Sequence, residues 1–183
     1  MIFDYFSIVI GILKFYIIKL IYIFRIKLDG IPKINCNFKI AIPKGTKLYI
    51  GKRFKARNNI NIRNDYNGQI MIGNNVFLND GVSLNCQKKI VIGDNVAIGH
   101  NTLIIDHDHD YKNNMKEFIS EDISIGNNVW IGANVIILKG SIIPDNTVIA
   151  ANTLVTKNIK FENGKNNLVY DKKNNIVKNY GEI

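Results

Sequence analysis

Cysteine, histidine and long unbroken apolar runs are all scarce in this sequence, and each scarcity closes off a class of function. The two cysteines, Cys36 and Cys86, stand far apart. They fit no metal or redox spacing and read as ordinary thiols of a reducing compartment. Helix-turn-helix, zinc-finger and RNA-binding motifs are also missing. The formal charge is +9, but the basic residues are scattered from Lys44 to Lys173, so no nucleic-acid partner is expected. A field of that sign suits a phosphate-bearing cofactor or an anionic sugar polymer. The most apolar stretch, residues 2–26, is interrupted by Lys14 and Lys19, which argues against a spanning helix. It opens on Asp4 and runs into Arg25 and Lys27, unlike a cleavable signal peptide.

What remains is a chain of 183 residues, 46% of them hydrophobic, enough for one domain with a real core and an appendage. The appendage is residues 1–30. At about 100° per residue, Asp4, Ser7, Gly11, Lys14 and Arg25 fall in a stripe roughly 80° wide, and the rest of the circumference is mostly Ile, Leu, Phe, Val and Tyr. The pattern predicts an amphipathic helix. Residues 2–26 are expected to lie in the plane of a membrane surface as a peripheral contact, or else to pack on their own domain or on a neighbouring subunit.

From residue 48 a period of six takes over. Ile125, Ile131, Ile137, Ile143, Ile149 and Val155 are spaced by six, with a second small or branched residue two places before each. Ile92, Ile98 and Ile104 keep the same spacing, as do Ile72, Leu78 and Leu84, and Ile50, Ala56 and Ile62. Glycine often follows the aliphatic and asparagine pairs recur, and both residue types tolerate positive φ at tight corners. Such a period implies short strands joined by sharp turns and stacked as a solenoid, three strands to a triangular coil. The ruler breaks after Ile62, Leu84 and Ile104, by four, two and fifteen residues. Each break follows three hexads, so all three insertions leave from one corner of the prism.

The hexads, with "NNVWIGANVII" and "AANTLVTK", resemble the hexapeptide-repeat acyltransferases, closest to the bacterial polysaccharide and sugar O-acetyltransferases. The resemblance covers roughly residues 40–160. It implies an all-β solenoid, a left-handed parallel β-helix of about five triangular coils. The β-helix domain is expected over 31–160, with a protruding loop over 106–122 and a C-terminal tail over 161–183.

That loop begins within "LIIDHDHDY", residues 103–111, which holds two of the three histidines. Extended backbone would put His107 and His109 on one face and the aspartates on the other. A histidine is the natural general base for a hydroxyl, and Asp106, Asp108 or Asp110 could hold its tautomer. The resemblance implies that His107 takes the acceptor's proton, with His109 as the fallback. It places Asn85 beside that histidine and Trp130, the only tryptophan, at the acceptor site near a subunit interface. For acetyl-coenzyme A it points to Ala133, Ala151, Thr156 and Lys157. These enzymes usually carry a Gly-x-Pro-Ala turn after the last coil; here "NNLVYDKKNNIVKNY" has Tyr170-Asp171-Lys172-Lys173 in its place, so the end of the cofactor channel is expected to differ. His100, His107 and His109 do not match the three-histidine zinc site of the γ-class carbonic anhydrases, and no metal is expected.

The expected activity is acetyl-coenzyme A-dependent O-acetylation of a sugar hydroxyl in capsule or lipopolysaccharide synthesis. The enzyme would be a cytoplasmic homotrimer at the inner face of the membrane. Acetylation of an amino sugar on a nucleotide carrier, acetylation of an antibiotic, and a non-catalytic scaffold are the alternatives.

Overall fold

Alternating inward and outward side chains, with a turn every sixth residue, leave a chain one economical solution: wind, and stack each turn on the last. The computed structural model, which describes residues 2–162, 166–170 and 176–179, follows it. Helix α1 (Ile2–Ile21) comes first. The first coil is β1 (Ile26–Leu28), β2 (Lys33–Ile34) and β3 (Phe38–Ala41), and the second is β4 (Lys47–Ile50), β5 (Lys55–Ala56) and β6 (Ile60–Asn64). The third is β7 (Gln69–Ile72), β8 (Phe77–Leu78) and β9 (Ser83–Cys86), and the fourth is β10 (Lys89–Ile92), β11 (Ala97–Ile98) and β12 (Leu103–Ile105). A hairpin arm, β13 (His107–Asp110) and β14 (Asn114–Ser120), then leaves the wall. The fifth coil is β15 (Ile123–Ile125), β16 (Trp130–Ile131) and β17 (Ile136–Leu138); the sixth is β18 (Ile142–Ile143), β19 (Thr147–Ile149) and β20 (Leu154–Val155). Strands β21 (Asn167–Tyr170) and β22 (Ile176–Asn179) extend the second face.

Each face is a parallel sheet built of every third wall strand. The register stacks like on like: Leu28, Ile50, Ile72, Ile92, Ile125 and Ile143 form one column through the first face. All of these but Leu28 are buried, and each buried isoleucine contributes about 1.5–3 kcal/mol. The corners explain the asparagines. Asn75, Asn95, Asn128 and Asn146 all have positive φ, and the side-chain amides of the first three each donate to the next asparagine along the column. Gly99 permits a close stacking of corners: a Cβ there would stand 2.5 Å from the Gly132 carbonyl carbon.

The expected five coils are one too few. Leu28, Ile34 and Ile40 already keep the spacing of six, but Asp29, Asn35 and Ala41 follow them instead of glycine, so the first coil is hard to see in the sequence.

Helix α1 caps the open edge of that first coil. Its polar stripe faces the protein. Lys14 Nζ donates to the carbonyls of Cys36 and Phe38, at 3.0 and 2.8 Å. Ser7 Oγ accepts from the Cys36 N–H, Arg25 donates to the Ile42 carbonyl, and Gly11 lies so close that a Cβ would sit 1.9 Å from the Ile34 carbonyl oxygen. The Asp4 side chain lies outside the described residues. Phe15, fully buried, closes the end of the core against Phe38. Much of the remaining apolar circumference is exposed. Among the described residues, no helix is long and apolar enough to cross a membrane.

Candidate active site

The three insertions do leave from one corner, between the third face and the first, and together they build a pocket. The corner after β6 supplies Asp65 and Tyr66, the corner after β9 supplies Gln87, and the arm supplies His107 and Phe118; Arg63 and Asn85 complete a cavity of about 230 Å³. Arg63 and Asn85 are in register on adjacent strands, and Asn85 is in register with Ile105 on the next.

Asp106 is the hinge of the arm. It is wholly buried, and its carboxylate is held by the corner below. One oxygen accepts from Gln87 N–H at 2.8 Å, and the other accepts from Lys88 and Lys89 N–H at 2.8 and 2.9 Å. The Cys86 thiol donates to it as well, at 3.2 Å. Burial, reinforced by the neighbouring Asp106 charge, pushes that thiol far above its ordinary range, so it remains an S–H donor. His107 Nδ1 stands 3.0 Å from Asp106 Oδ1. A carboxylate can only accept, so Nδ1 carries a proton, and in the neutral ring it is Nε2 that holds the lone pair. The imidazole, its side chain 15% exposed, also meets Phe118 edge-on, with centroids 5.5 Å apart. Of the three aspartates that could hold the tautomer, the structure selects Asp106. A tethered imidazole with a free acceptor nitrogen, at the wall of a pocket, can remove a proton from a hydroxyl.

Asn85 lies in the same pocket, and its Oδ1 is buried with no hydrogen-bond partner among the described residues. A buried acceptor left unpaired is costly, and an acceptor hydroxyl would satisfy it. His109 shares a face with His107, as extended backbone predicts, and both rings touch Phe118. Its Nδ1 is engaged with the Met115 carbonyl at 2.8 Å, and it does not line the pocket.

The other expected site residues sit elsewhere. Trp130 points outward from β16 on the second face, 60% exposed, between Ala97 and Val148; within one chain it is not brought to His107. Ala133 and Ala151 stack on the corner between the second and third faces, with Asn152 N–H donating to the Ala133 carbonyl. Thr156 and Lys157 follow β20 at the arm's corner. Lys157 Nζ pairs with Glu121 at 2.7 Å, and that hydrogen bond holds the Glu121 carboxyl below its usual range. The alanine pair and the Thr156–Lys157 pair thus flank the strands of the third face in the top two coils. Asp171, Lys172 and Lys173 lie outside the described residues. Among the described residues, no cluster of three or more His, Cys, Asp or Glu is placed to hold a metal ion. His100 is at another corner, 3.8 Å from Asp80.

Arg63, Asp65, Tyr66, Gln87 and Phe118 escape a reading of the sequence one motif at a time. The available signal was the pair of short breaks after Ile62 and Leu84, which stack beneath the long one.

A family model described as bacterial transferase hexapeptide (six repeats) matches residues 122–157. Among solved structures, a maltose O-acetyltransferase from Clostridium difficile 630 is 32% identical, over 74% of this chain and 68% of that one, with a TM-score of 0.57. A galactoside acetyltransferase in complex with coenzyme A is 26% identical, over 84% of this chain and 63% of that one, with a TM-score of 0.53. No curated protein matches the chain.

Proposed function

The chain belongs to the hexapeptide-repeat family of bacterial acetyltransferases, and from that premise we propose that it moves the acetyl group of acetyl-coenzyme A onto a sugar hydroxyl held in the pocket beside His107. The observation that carries this reading is the Asp106–His107 contact of 3.0 Å at the wall of that pocket. Asp106 fixes the ring, and Nε2 takes the hydroxyl proton as the oxygen attacks the thioester carbonyl. The carbon–sulfur bond breaks, and the proton on Nε2 passes to the departing sulfur, giving free coenzyme A. No acyl-enzyme forms. Asn85 Oδ1 accepts a hydrogen bond from the sugar, and backbone N–H groups steady the developing oxyanion.

The coenzyme would lie along the third face of the upper coils. Ala133 and Ala151 present only methyl groups there, which lets a slender chain approach the backbone. The Lys157–Glu121 pair is exposed and therefore weak, so Lys157 can turn to a phosphate. Trp130 is costly as an outward indole; in a homotrimer it would border the pocket of the neighbouring protomer, with the three sites at the interfaces.

The finer reading is a cytoplasmic enzyme at the inner face of the membrane, acetylating a glycan destined for capsule or lipopolysaccharide. A +9 charge suits an anionic glycan. The test is a screen of glycan acceptors with acetyl-coenzyme A, read by thiol release. Turnover on a glycan with no release on amino sugars supports the reading; release on amino sugars alone overturns it.

A further inference from the structure

Helix α1 is turned the opposite way from a helix whose polar face meets water. Its small and polar residues, Ser7, Gly11 and Lys14, are used against the first coil. Phe6, Ile10, Leu13, Ile17, Leu20 and Phe24 recur every three or four residues along the outer side, and all are exposed, Phe24 by 96%. That row is contiguous, and a contiguous exposed apolar face of this kind marks a binding surface. Nothing in the solenoid covers it.

Charge indicates what does. Where the apolar row ends, an open groove of about 810 Å³ begins, lined by Lys19, Arg25, Lys27 and Lys47 together with Ile23 and Phe24. Arg25 is partly engaged, through the Ile42 carbonyl; Lys27 leans over the Tyr49 ring. Asp29, just beyond β1, already accepts the Tyr49 hydroxyl. A two-fold contact with a second copy through this face would bring the same cations together. An anionic surface would be attracted by them.

We propose that α1 lies in the plane of an anionic lipid bilayer, its outer row sunk into the acyl boundary and Lys19, Lys27 and Lys47 against lipid phosphates. The inference deepens the membrane location proposed above, and it joins the two signals, buried apolar area and basic charge, that peripheral anchoring requires. It also fixes an orientation. The helix caps the first coil and His107 leaves the fourth, so at about 4.8 Å per coil the pocket stands roughly 14 Å further from the bilayer than the first coil. That height suits the sugar of a lipid-linked glycan.

The test is co-sedimentation of the full chain with phosphatidylcholine vesicles, plain or containing roughly one third phosphatidylglycerol. The proposal expects binding to the anionic vesicles and little to the neutral ones. Binding should weaken as salt rises from about 0.1 to 1 M, where screening shortens from about 10 to 3 Å. Lys27→Gln with Lys47→Gln should lower partitioning about twenty-fivefold, at roughly fivefold per charge. Leu13→Ser with Ile17→Ser and Leu20→Ser, all exposed positions, should lower it at least as far while leaving the thermal melt and thiol release on a soluble acceptor unchanged. Equal binding to neutral vesicles, or binding indifferent to both sets of substitutions, overturns the proposal. So does a light-scattering mass that is smaller in the serine variant than in the wild type, since a second copy would then be the occupant. Failure of thiol release with vesicle binding intact would count against the acetyl-transfer reading alone.

Discussion

His107 Nδ1 and Asp106 Oδ1 lie 3.0 Å apart, and the aspartate's other contacts leave it no freedom to turn away. Three consecutive backbone N–H groups of the corner below, at residues 87–89, hold the carboxylate. The imidazole is therefore aimed by the solenoid, although it belongs to the arm. The first expectation is that His107→Ala lowers kcat by roughly 10²–10⁴-fold with the KM for acetyl-coenzyme A little changed, whereas His109→Ala stays near wild type. Steady-state thiol release distinguishes them. The reverse pattern would transfer the role to His109.

Asp106 should act as a positioning residue. Asp106→Asn keeps the shape but replaces an acceptor with an amide that can donate, so the ring is offered the wrong partner and settles in the other tautomer. The expected loss is in kcat, up to about 10⁴-fold where an analogous orienting carboxylate has been changed, with acetyl-coenzyme A affinity by calorimetry unchanged. Asp106→Ala should in addition leave three N–H donors without their acceptor, the Gln87 one buried, destabilising the corner by about 1–3 kcal/mol, visible as a lower thermal midpoint.

Gly11 tests how α1 is seated. A side chain there must displace the Ile34 carbonyl, 1.9 Å from where its Cβ would be. Overpacking of this kind costs about 1–3 kcal/mol, or roughly 5- to 150-fold in local opening. Gly11→Val is expected to expose residues 2–21 to limited proteolysis at a correspondingly higher rate while residues 47–157 remain protected. Unchanged cleavage would mean that the helix is not seated on the first coil.

The foot of the arm should respond to acid. The Glu121 carboxyl is held below its ordinary range, chiefly by the hydrogen bond from Lys157. A depressed carboxyl binds fewer protons folded than unfolded, so its contribution is complete above the ordinary carboxylate range and is lost as pH falls through the lowered native value. Hydrogen exchange of the arm, residues 107–120, should accelerate over that acid window in the wild type. In Glu121→Gln it should lack that step.

The sequence by itself determined the wall. A side chain's inward or outward direction follows from its place in a six-residue repeat, so Ile125 through Val155 could be assigned to the core by counting. The same counting put the three insertions on one corner, because each follows three complete hexads. It also put His107 and His109 on one face, since strand alternation is local. What the count could not reach is contact across coils. Which of three aspartates meets His107 depends on the N–H groups of residues 87–89, one coil away and many residues distant in the chain. Periodicity of α1 showed which residues share a stripe, but not that Ser7, Gly11 and Lys14 would face the protein. That was decided by the open carbonyls of Cys36 and Phe38 at the edge of the first coil, which need donors more than the helix needs to hide its isoleucines. Trp130 gave an outward direction and no partner, because a wall residue's neighbours on the outside are whatever a second molecule brings.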